Sequence, residues 1–107
     1  MGVQMLHVLR REARLRQRLS KQPTDVAAIR MMAELAGRLA RYRDSENLLR
    51  RALELAPSFT AAQANLAMVL YKQSRYGEAG EVLEQVLAQD PANSSSRNLL
   101  AATLGRI

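Results

Sequence analysis

Three prolines recur along the chain at one spacing, since Pro23, Pro57 and Pro91 are each separated from the next by 34 positions. Proline cannot continue a helix because it lacks a backbone N–H, but it can begin the turn that follows one. A sequence period of this length is typical of chains built from stacked helix pairs, in which each pair is one repeat. The spacing therefore predicts an all-α array of short antiparallel helices.

Apolar and small residues follow the same period as the prolines. A shift by one period superimposes Met32-Ala33 on Leu66-Ala67 and Leu100-Ala101, Tyr42 on Tyr76, Leu49 on Leu83, and Leu53 on Leu87. The alanines allow two helices to approach closely, and each leucine contributes about 1.5–3 kcal/mol when it is buried. We therefore expect the same helix–helix contact to occur in successive units.

At these positions the chain resembles the tetratricopeptide repeat family, whose pattern is W-x2-L-G-x2-Y, then A-x3-F, then P. Three units carry the pattern, and they read Ile29-x2-Met32-Ala33-x2-Ala36, Ser45-x3-Leu49, Pro57; Gln63-x2-Leu66-Ala67-x2-Leu70, Ala79-x3-Leu83, Pro91; and Arg97-x2-Leu100-Ala101-x2-Leu104. The resemblance covers about residues 24–107. It implies an all-α, TPR-type α-solenoid of about six antiparallel helices.

We expect one domain over residues 1–107, because no Gly/Ser linker or change of composition divides the chain. The predicted helices lie near 3–20, 25–38, 42–55, 59–72, 76–88 and 94–106. The predicted subdivision is an N-terminal helix in 1–23, repeats in 24–57 and 58–91, and a truncated repeat or capping helix in 92–107. Side-chain oxygens of Thr24, Ser58 and Asn93 are candidate N-caps. Ser45 replaces the alanine that the family prefers, which predicts looser packing in the first unit.

The last predicted helix has no partner to complete a third pair. Its Leu100, Leu104 and Ile107 are expected to pack on the helix that contains Leu83 and Val86. Repeats bury their apolar faces only against neighbours, and about three are needed for stability. We therefore interpret the chain as a fragment of a longer protein. The alternative is a short natural protein that forms a homo-oligomer through its exposed terminal helices.

Composition limits the compartment and the chemistry. The sequence has no cysteine, which excludes a disulfide framework and a thiolate metal site. No apolar run approaches the roughly 20 residues that span a bilayer, and residues 1–9 do not form a signal peptide. These features predict a cytoplasmic protein without a membrane span.

Positive charge is concentrated in the N-terminal half. Residues 1–51 hold 12 Lys and Arg against 5 Asp and Glu, whereas the rest hold 4 against 5, for a formal net charge of +6. The candidate basic-patch residues on the first helix are Arg10, Arg11, Arg14, Arg18 and Lys21. A basic helix can bind an acidic protein, nucleic acid or an anionic membrane surface, but the aromatic stacking groups and modules typical of nucleic-acid readers are absent. The simpler interpretation is a hydrated helix face.

The family resemblance implies a concave groove, lined by the first helix of each pair, in which a peptide or helix docks. Carried over by alignment, the groove candidates are Arg30, Glu34, Arg38, Ala64, Asn65, Met68, Tyr71, Lys72, Asn98 and Ala102. Arg30 and Lys72 can meet a carboxylate, and Met68 adapts to apolar groups. We therefore predict a protein–protein interaction scaffold whose peptide partner carries acidic and apolar side chains. The alternative is that these residues are solvated surface.

One familiar subclass can be compared directly. Tetratricopeptide domains that clamp the C-terminal carboxylate of heat-shock chaperones use five polar residues on three successive first helices. By register, Arg30 matches the first of these and Asn65 the third. Glu34 replaces an asparagine, Ser95 a lysine and Leu99 an arginine. Two matches in five, with a carboxylate facing a carboxylate, argue against that clamp.

The sequence offers little material for catalysis. His7 is the only histidine, so a His-based metal site or a Ser–His arrangement has no material beyond that one residue. Glu78, Glu81 and Glu84 recur on one helix and are interpreted as a solvated stripe. No phosphate-binding glycine motif is present. We predict that the chain is not an enzyme and binds no cofactor.

A second hypothesis depends on a closer resemblance. The run ANLAMVLYKQ at 64–73 and the ending LLAATLGRI at 99–107 are similar to the N-terminal repeat arrays of bacterial sulfotransferases. In those proteins a catalytic domain follows the repeats. The resemblance implies a non-catalytic region of a larger bacterial enzyme that presents substrates or mediates oligomerisation, with every catalytic residue beyond Ile107.

Overall fold

Six α-helices joined by short turns account for the architecture. The computed structural model describes residues 2–107, and its helices are α1 (Gly2–Lys21), α2 (Val26–Arg38), α3 (Tyr42–Leu55), α4 (Thr60–Lys72), α5 (Tyr76–Gln89) and α6 (Ser94–Leu104). Residues 2–107 contain no strand, and every helix boundary lies within two residues of its predicted place. The prediction of an all-α solenoid is confirmed.

The helices form two rows. Each helix packs on its chain neighbours, α2 also contacts α4, and α4 also contacts α6. An inner row of α2, α4 and α6 therefore lies side by side, while α1, α3 and α5 form an outer row against it. Because every helix meets only near neighbours, the array has the linear organisation of a repeat protein.

The contact within each pair joins a small residue to a large one. Ala33, Leu49, Ala67 and Leu83 are all fully buried. The prediction of looser packing at Ser45 is wrong, because Ser45 is 1% exposed and its hydroxyl donates a 2.7 Å hydrogen bond to the Ala33 carbonyl oxygen. The serine thus adds a polar link between α2 and α3 while its side chain stays buried.

Helix ends are set by local backbone chemistry. The side chains of Asp25 and Asn93 each accept a 3.0 Å hydrogen bond from a backbone N–H in the first turn of α2 and α6. The Asn93 prediction is confirmed, whereas Thr24 and Ser58 are not caps, because both lie in the turn before the capping position. The corresponding residue before α4 is Phe59, which makes no side-chain cap.

The turns within the pairs close through left-handed residues. Ala40 and Ser74 have φ values of 58° and 60°, and Arg41 and Arg75 each donate a 2.9 Å hydrogen bond from the backbone N–H to a carbonyl oxygen five residues earlier. This is the Schellman arrangement, in which glycine usually occupies the left-handed position. Backbone geometry is therefore the same in both turns although neither contains the usual glycine.

The outer face of α6 is apolar and open. Leu104 is 58% exposed and Ile107 is 78% exposed, so the expected packing of these two residues on α5 is wrong. Ser96 and Thr103 are buried in their place. The exposure follows from the repeat register. Leu104 lies one repeat after Leu70, and Leu70 is buried because the second helix of its pair, α5, packs against it. Among residues 2–107, no second helix packs on α6 in the same way.

The outer face of α1 is polar in its second half, whereas Val3, Leu6 and Leu9 in its first half are exposed apolar residues. Leu15 lies one repeat before Leu49 and is buried against α2, so α1 occupies the place of the second helix of a pair. Where α3 has the buried or half-buried residues Ser45, Leu48 and Ala52, α1 has the exposed residues Arg11, Arg14 and Arg18. Polar outer faces of this kind cap repeat arrays.

A polar cluster joins α3 to the turn before α5. The buried carboxylate of Glu46 accepts hydrogen bonds from Arg50 at 3.0 Å, from Gln73 at 3.0 Å and from Arg75 at 2.7 Å. Burial raises the pKa of the Glu46 carboxyl, but these three donors outweigh burial, so its pKa lies below the ordinary value. Hydrogen bonds from Arg75 also lower the pKa of Glu78.

Replacement of Leu83 by alanine should reduce the free energy of unfolding by about 2–5 kcal/mol, because it leaves a cavity where a fully buried side chain stood. Leu104→Ala is the matched control, with an expected loss below about 0.5 kcal/mol at an exposed position. Urea unfolding followed by circular dichroism measures both. Equal losses in the two variants would contradict the assignment of Leu83 to the core.

Stability should fall in acid in a way that depends on Glu46. Because folding lowers the pKa of Glu46, its contribution is fully present above the unfolded pKa near 4.5 and is lost as pH falls through the lower folded value. The free energy of unfolding, measured in urea from neutral pH to about pH 3, should therefore decline less steeply in Glu46→Gln. Glu84→Gln, on the exposed face of α5, is the control. If both variants flatten the profile equally, general surface charge causes the acid dependence.

Candidate functional site

A cavity of about 290 Å³ lies between α2 and α4 on the inner row. Five of the predicted groove residues line it, namely Glu34, Arg38, Asn65, Met68 and Lys72. They meet there because successive first helices present equivalent faces, so residues separated by one repeat become neighbours. The array therefore has a recess on the face for which the sequence predicts a groove.

Charged side chains form a network at one side of this recess. Arg30 donates a 3.2 Å hydrogen bond to the side-chain oxygen of Asn65, and its guanidinium lies 3.5 Å from the carboxylate of Glu34. Arg38 approaches the other oxygen of Glu34 at 3.0 Å. Two guanidinium groups thus flank one carboxylate, and the exposed Lys72 adds a third cation, so the recess has a net positive character.

The other side of the inner face is apolar and aromatic. Met68 is 43% exposed, which is high for a large apolar side chain on the inner row. Tyr71 is half-buried and meets Tyr76 edge to face, with ring centroids 5.2 Å apart. The guanidinium of Arg106 lies 5.8 Å from the centre of the Tyr76 ring. Basic and apolar surface are therefore adjacent along α4.

The remaining candidates lie outside this recess. Ala64 is half-buried on α4, while Asn98 and Ala102 are exposed on α6. Conversely, Tyr42 and Ser45 line the recess from α3, and the sequence reasoning did not include them. Both residues occupy repeat positions in the sequence. They were missed because the groove candidates were chosen only from the first helix of each pair, which leaves out the start of the second helix.

The basic surface of α1 is exposed as well. Arg10, Arg11, Arg14 and Lys21 are exposed, whereas Arg18 forms an ion pair with Asp25 at 2.7 Å. The structure therefore shows a cationic face on the outermost helix, with one of its five predicted residues neutralised locally. The face lies on the outer row, apart from the recess between α2 and α4.

The residues considered for chemistry are dispersed or structural. His7 is exposed on α1, and Glu78 is paired with Arg75 at 2.8 Å. Ser96 is buried at the start of α6. In the part of the chain that the structure describes, no group of three or more His, Cys, Asp or Glu residues is placed to hold a metal ion. Within the same residues 2–107, no helix is long and apolar enough to cross a membrane.

Sequence comparison identifies the family. The protein-family model described as "Tetratricopeptide repeat" matches residues 30–94, which is more than half of the chain. The chain therefore belongs to the tetratricopeptide repeat family. No curated protein matches the sequence at a significant level.

Several solved structures share the fold. The first TPR of Spaghetti (RPAP3), bound to the HSP90 peptide SRMEEVD, has a TM-score of 0.82 at 21% identity, over 85% of this chain and 72% of that chain. MamA 41-end from Desulfovibrio magneticus RS-1 has a TM-score of 0.84 at 24% identity, over 89% of this chain and 54% of that one. The second TPR domain of human RPAP3, in complex with the HSP70 peptide SGPTIEEVD, has a TM-score of 0.77 at 18% identity, over 83% and 74%. At these identities the likeness shows the fold.

Proposed function

We propose that this protein is a protein–protein interaction scaffold that binds a peptide or a helix along the inner face of α2, α4 and α6. The observation that carries the proposal is the recess between α2 and α4, where side chains from two repeats converge. Repeat arrays offer extended binding surfaces of this type because each unit adds one strip of side chains. Membership of the tetratricopeptide repeat family supports the same role.

The charges favour a partner with acidic and apolar side chains. Arg38 and Lys72 border the recess and can each donate charge-assisted hydrogen bonds to a carboxylate. Met68 offers a flexible apolar contact beside them. The peptides in the two RPAP3 structures, SRMEEVD and SGPTIEEVD, are themselves acidic and contain apolar residues, which makes this chemistry reasonable for the fold.

The mode of binding differs from the five-residue carboxylate clamp of chaperone-binding domains. Glu34 occupies a clamp position, but Arg30 and Arg38 flank its carboxylate, so its repulsion of an anion is reduced. Leu99, at another clamp position, is half-buried and has no side-chain donor. We therefore propose contacts to acidic side chains along the peptide, centred on Arg38 and Lys72, in place of capture of a terminal carboxylate.

In this proposal the domain binds its partner, catalyses no reaction and holds no cofactor. We propose that residues 1–23 form the N-terminal helix, that residues 24–57 and 58–91 are the two complete repeats, and that residues 92–107 are a truncated repeat or a capping helix. The cysteine-free sequence supports a cytoplasmic location. The resemblance to bacterial repeat arrays supports a bacterial origin.

Charge reversal at the recess should remove peptide binding. The assay uses peptides of about a dozen residues selected from a random display library, then synthesised with a fluorescent label and measured by fluorescence anisotropy. We expect the selected peptides to be rich in Asp and Glu with interspersed Leu, Met or Phe. Arg38→Glu combined with Lys72→Glu should weaken their binding at least about tenfold, because two charge-assisted contacts are lost.

The matched control is Arg43→Glu combined with Arg97→Glu, which changes the net charge equally on exposed residues outside the recess. Melting temperature verifies that both double variants remain folded. Equal weakening in the two double variants would show that the peptide is held by general electrostatic attraction and would contradict a site at the recess. Loss of binding only in Arg10→Glu with Arg14→Glu would move the site to α1 and overturn the proposed groove.

A further inference from the structure

A second and larger recess lies on the outer row, between α1 and α3 and above α2. This outer cleft has a volume of about 530 Å³. Leu19, Met32, Ala36 and Leu48 form its apolar floor. Its mouth carries three arginines and two carboxylates, namely Arg16, Arg41, Arg51, Glu12 and Asp44. Met32 and Ala36 lie on the side of α2 opposite Glu34 and Arg38, because successive helical residues are rotated by about 100°. The outer cleft is thus separate from the inner recess.

The repeat itself explains why the outer cleft is open. The residue that lies one repeat after Ala36 is Leu70, which is 1% exposed. In the second unit, a surface depression of about 280 Å³ lies beside Leu53 and Leu66, one repeat after Leu19 and Met32, and neither Leu70 nor any residue of α5 lines it. The first unit therefore lacks the leucine side chain that fills the second unit, and the missing atoms leave an apolar floor accessible.

Arg16 pairs closely with Glu12 above this floor, but the contact of Arg41 is looser than that of its equivalent in the second unit. Arg41 approaches the carboxylate of Glu12 at 3.8 Å, whereas the equivalent contact between Arg75 and Glu46 is 2.7 Å. Arg51, which has no charged equivalent in the second unit, is exposed and makes one hydrogen bond of 3.5 Å to a backbone oxygen. Two guanidinium groups at the mouth therefore have donors available to a ligand.

We propose that the outer cleft binds a small amphipathic anion, meaning an aromatic or short aliphatic group that carries one carboxylate or sulfonate. The volume is within the range of about 300–1,000 Å³ for small-molecule sites. The apolar group lies on Met32 and Leu48, and the anion accepts hydrogen bonds from Arg41 and Arg51. Guanidinium groups suit this role because they present paired donors to planar anions.

The test uses 1-anilinonaphthalene-8-sulfonate as the probe, with fluorescence titration of the whole chain. Ala36→Leu places in the cleft the residue that the second repeat already has, and should weaken binding at least about tenfold by occupying the site. Its melting temperature should be unchanged or higher. Arg51→Gln should weaken binding of the sulfonate about tenfold, because a charge-assisted contact is lost, and should leave binding of the neutral N-phenyl-1-naphthylamine unchanged.

A control variant and a direct observation distinguish other binding places. Leu104→Ser removes an exposed leucine from the open face of α6 and should not change the affinity. In the unsubstituted protein with isotope-labelled methionine methyl groups, the probe should shift the NMR signal of Met32 and leave that of Met68 unchanged. Unchanged affinity in Ala36→Leu, or a shift of Met68 without Met32, would overturn the proposed site without bearing on the peptide groove.

Discussion

Close contact between the two helices of a pair determines the geometry of the rest of the array. Ala33 and Ala67 are completely buried and allow α3 and α5 to lie directly against α2 and α4. Leu49 and Leu83 supply the bulk on the opposite side of each contact. Because the same contact recurs in the next repeat, the first helices align in one row and their exposed faces become a continuous surface. The candidate groove is a consequence of this stacking.

The 34-residue period of the sequence was sufficient to predict the helices but not the residues that cap their ends. Prolines and apolar residues in register placed all six helices, because pairing requires the same residues at the same places. The capping position is determined by backbone geometry, and it falls on Asp25 and Asn93 and not on Thr24 or Ser58. At α6, hydrophobicity alone predicted burial of Leu104, whereas the position of the covering helix decides which face is buried.

The candidate site was partly accessible from the sequence. Register placed Arg38, Met68 and Lys72 on the inner face, where the structure brings them around one recess. The i, i+4 spacing of Arg30, Glu34 and Arg38 favours both ion pairs within α2. The hydrogen bond from Arg30 to Asn65 could not be inferred, since it depends on side-chain conformations across two helices. The outer cleft could not be predicted either. It depends on the small side chain of Ala36, and alanine is a common helix residue whose effect here becomes clear only from its repeat equivalent Leu70.

The open faces at the two ends of the array differ in chemistry. The second half of α1 bears arginines, while its first half exposes Val3, Leu6 and Leu9, and α6 with the residues after it exposes Leu104 and Ile107. An apolar helix packed on the arginine-bearing half of α1 would have to dehydrate guanidinium groups without compensation, which is costly. A helix arriving at α6 gains the burial of aliphatic side chains. The arginine-bearing half of α1 therefore requires carboxylates from any helix that packs on it, whereas the open face of α6 requires only apolar side chains.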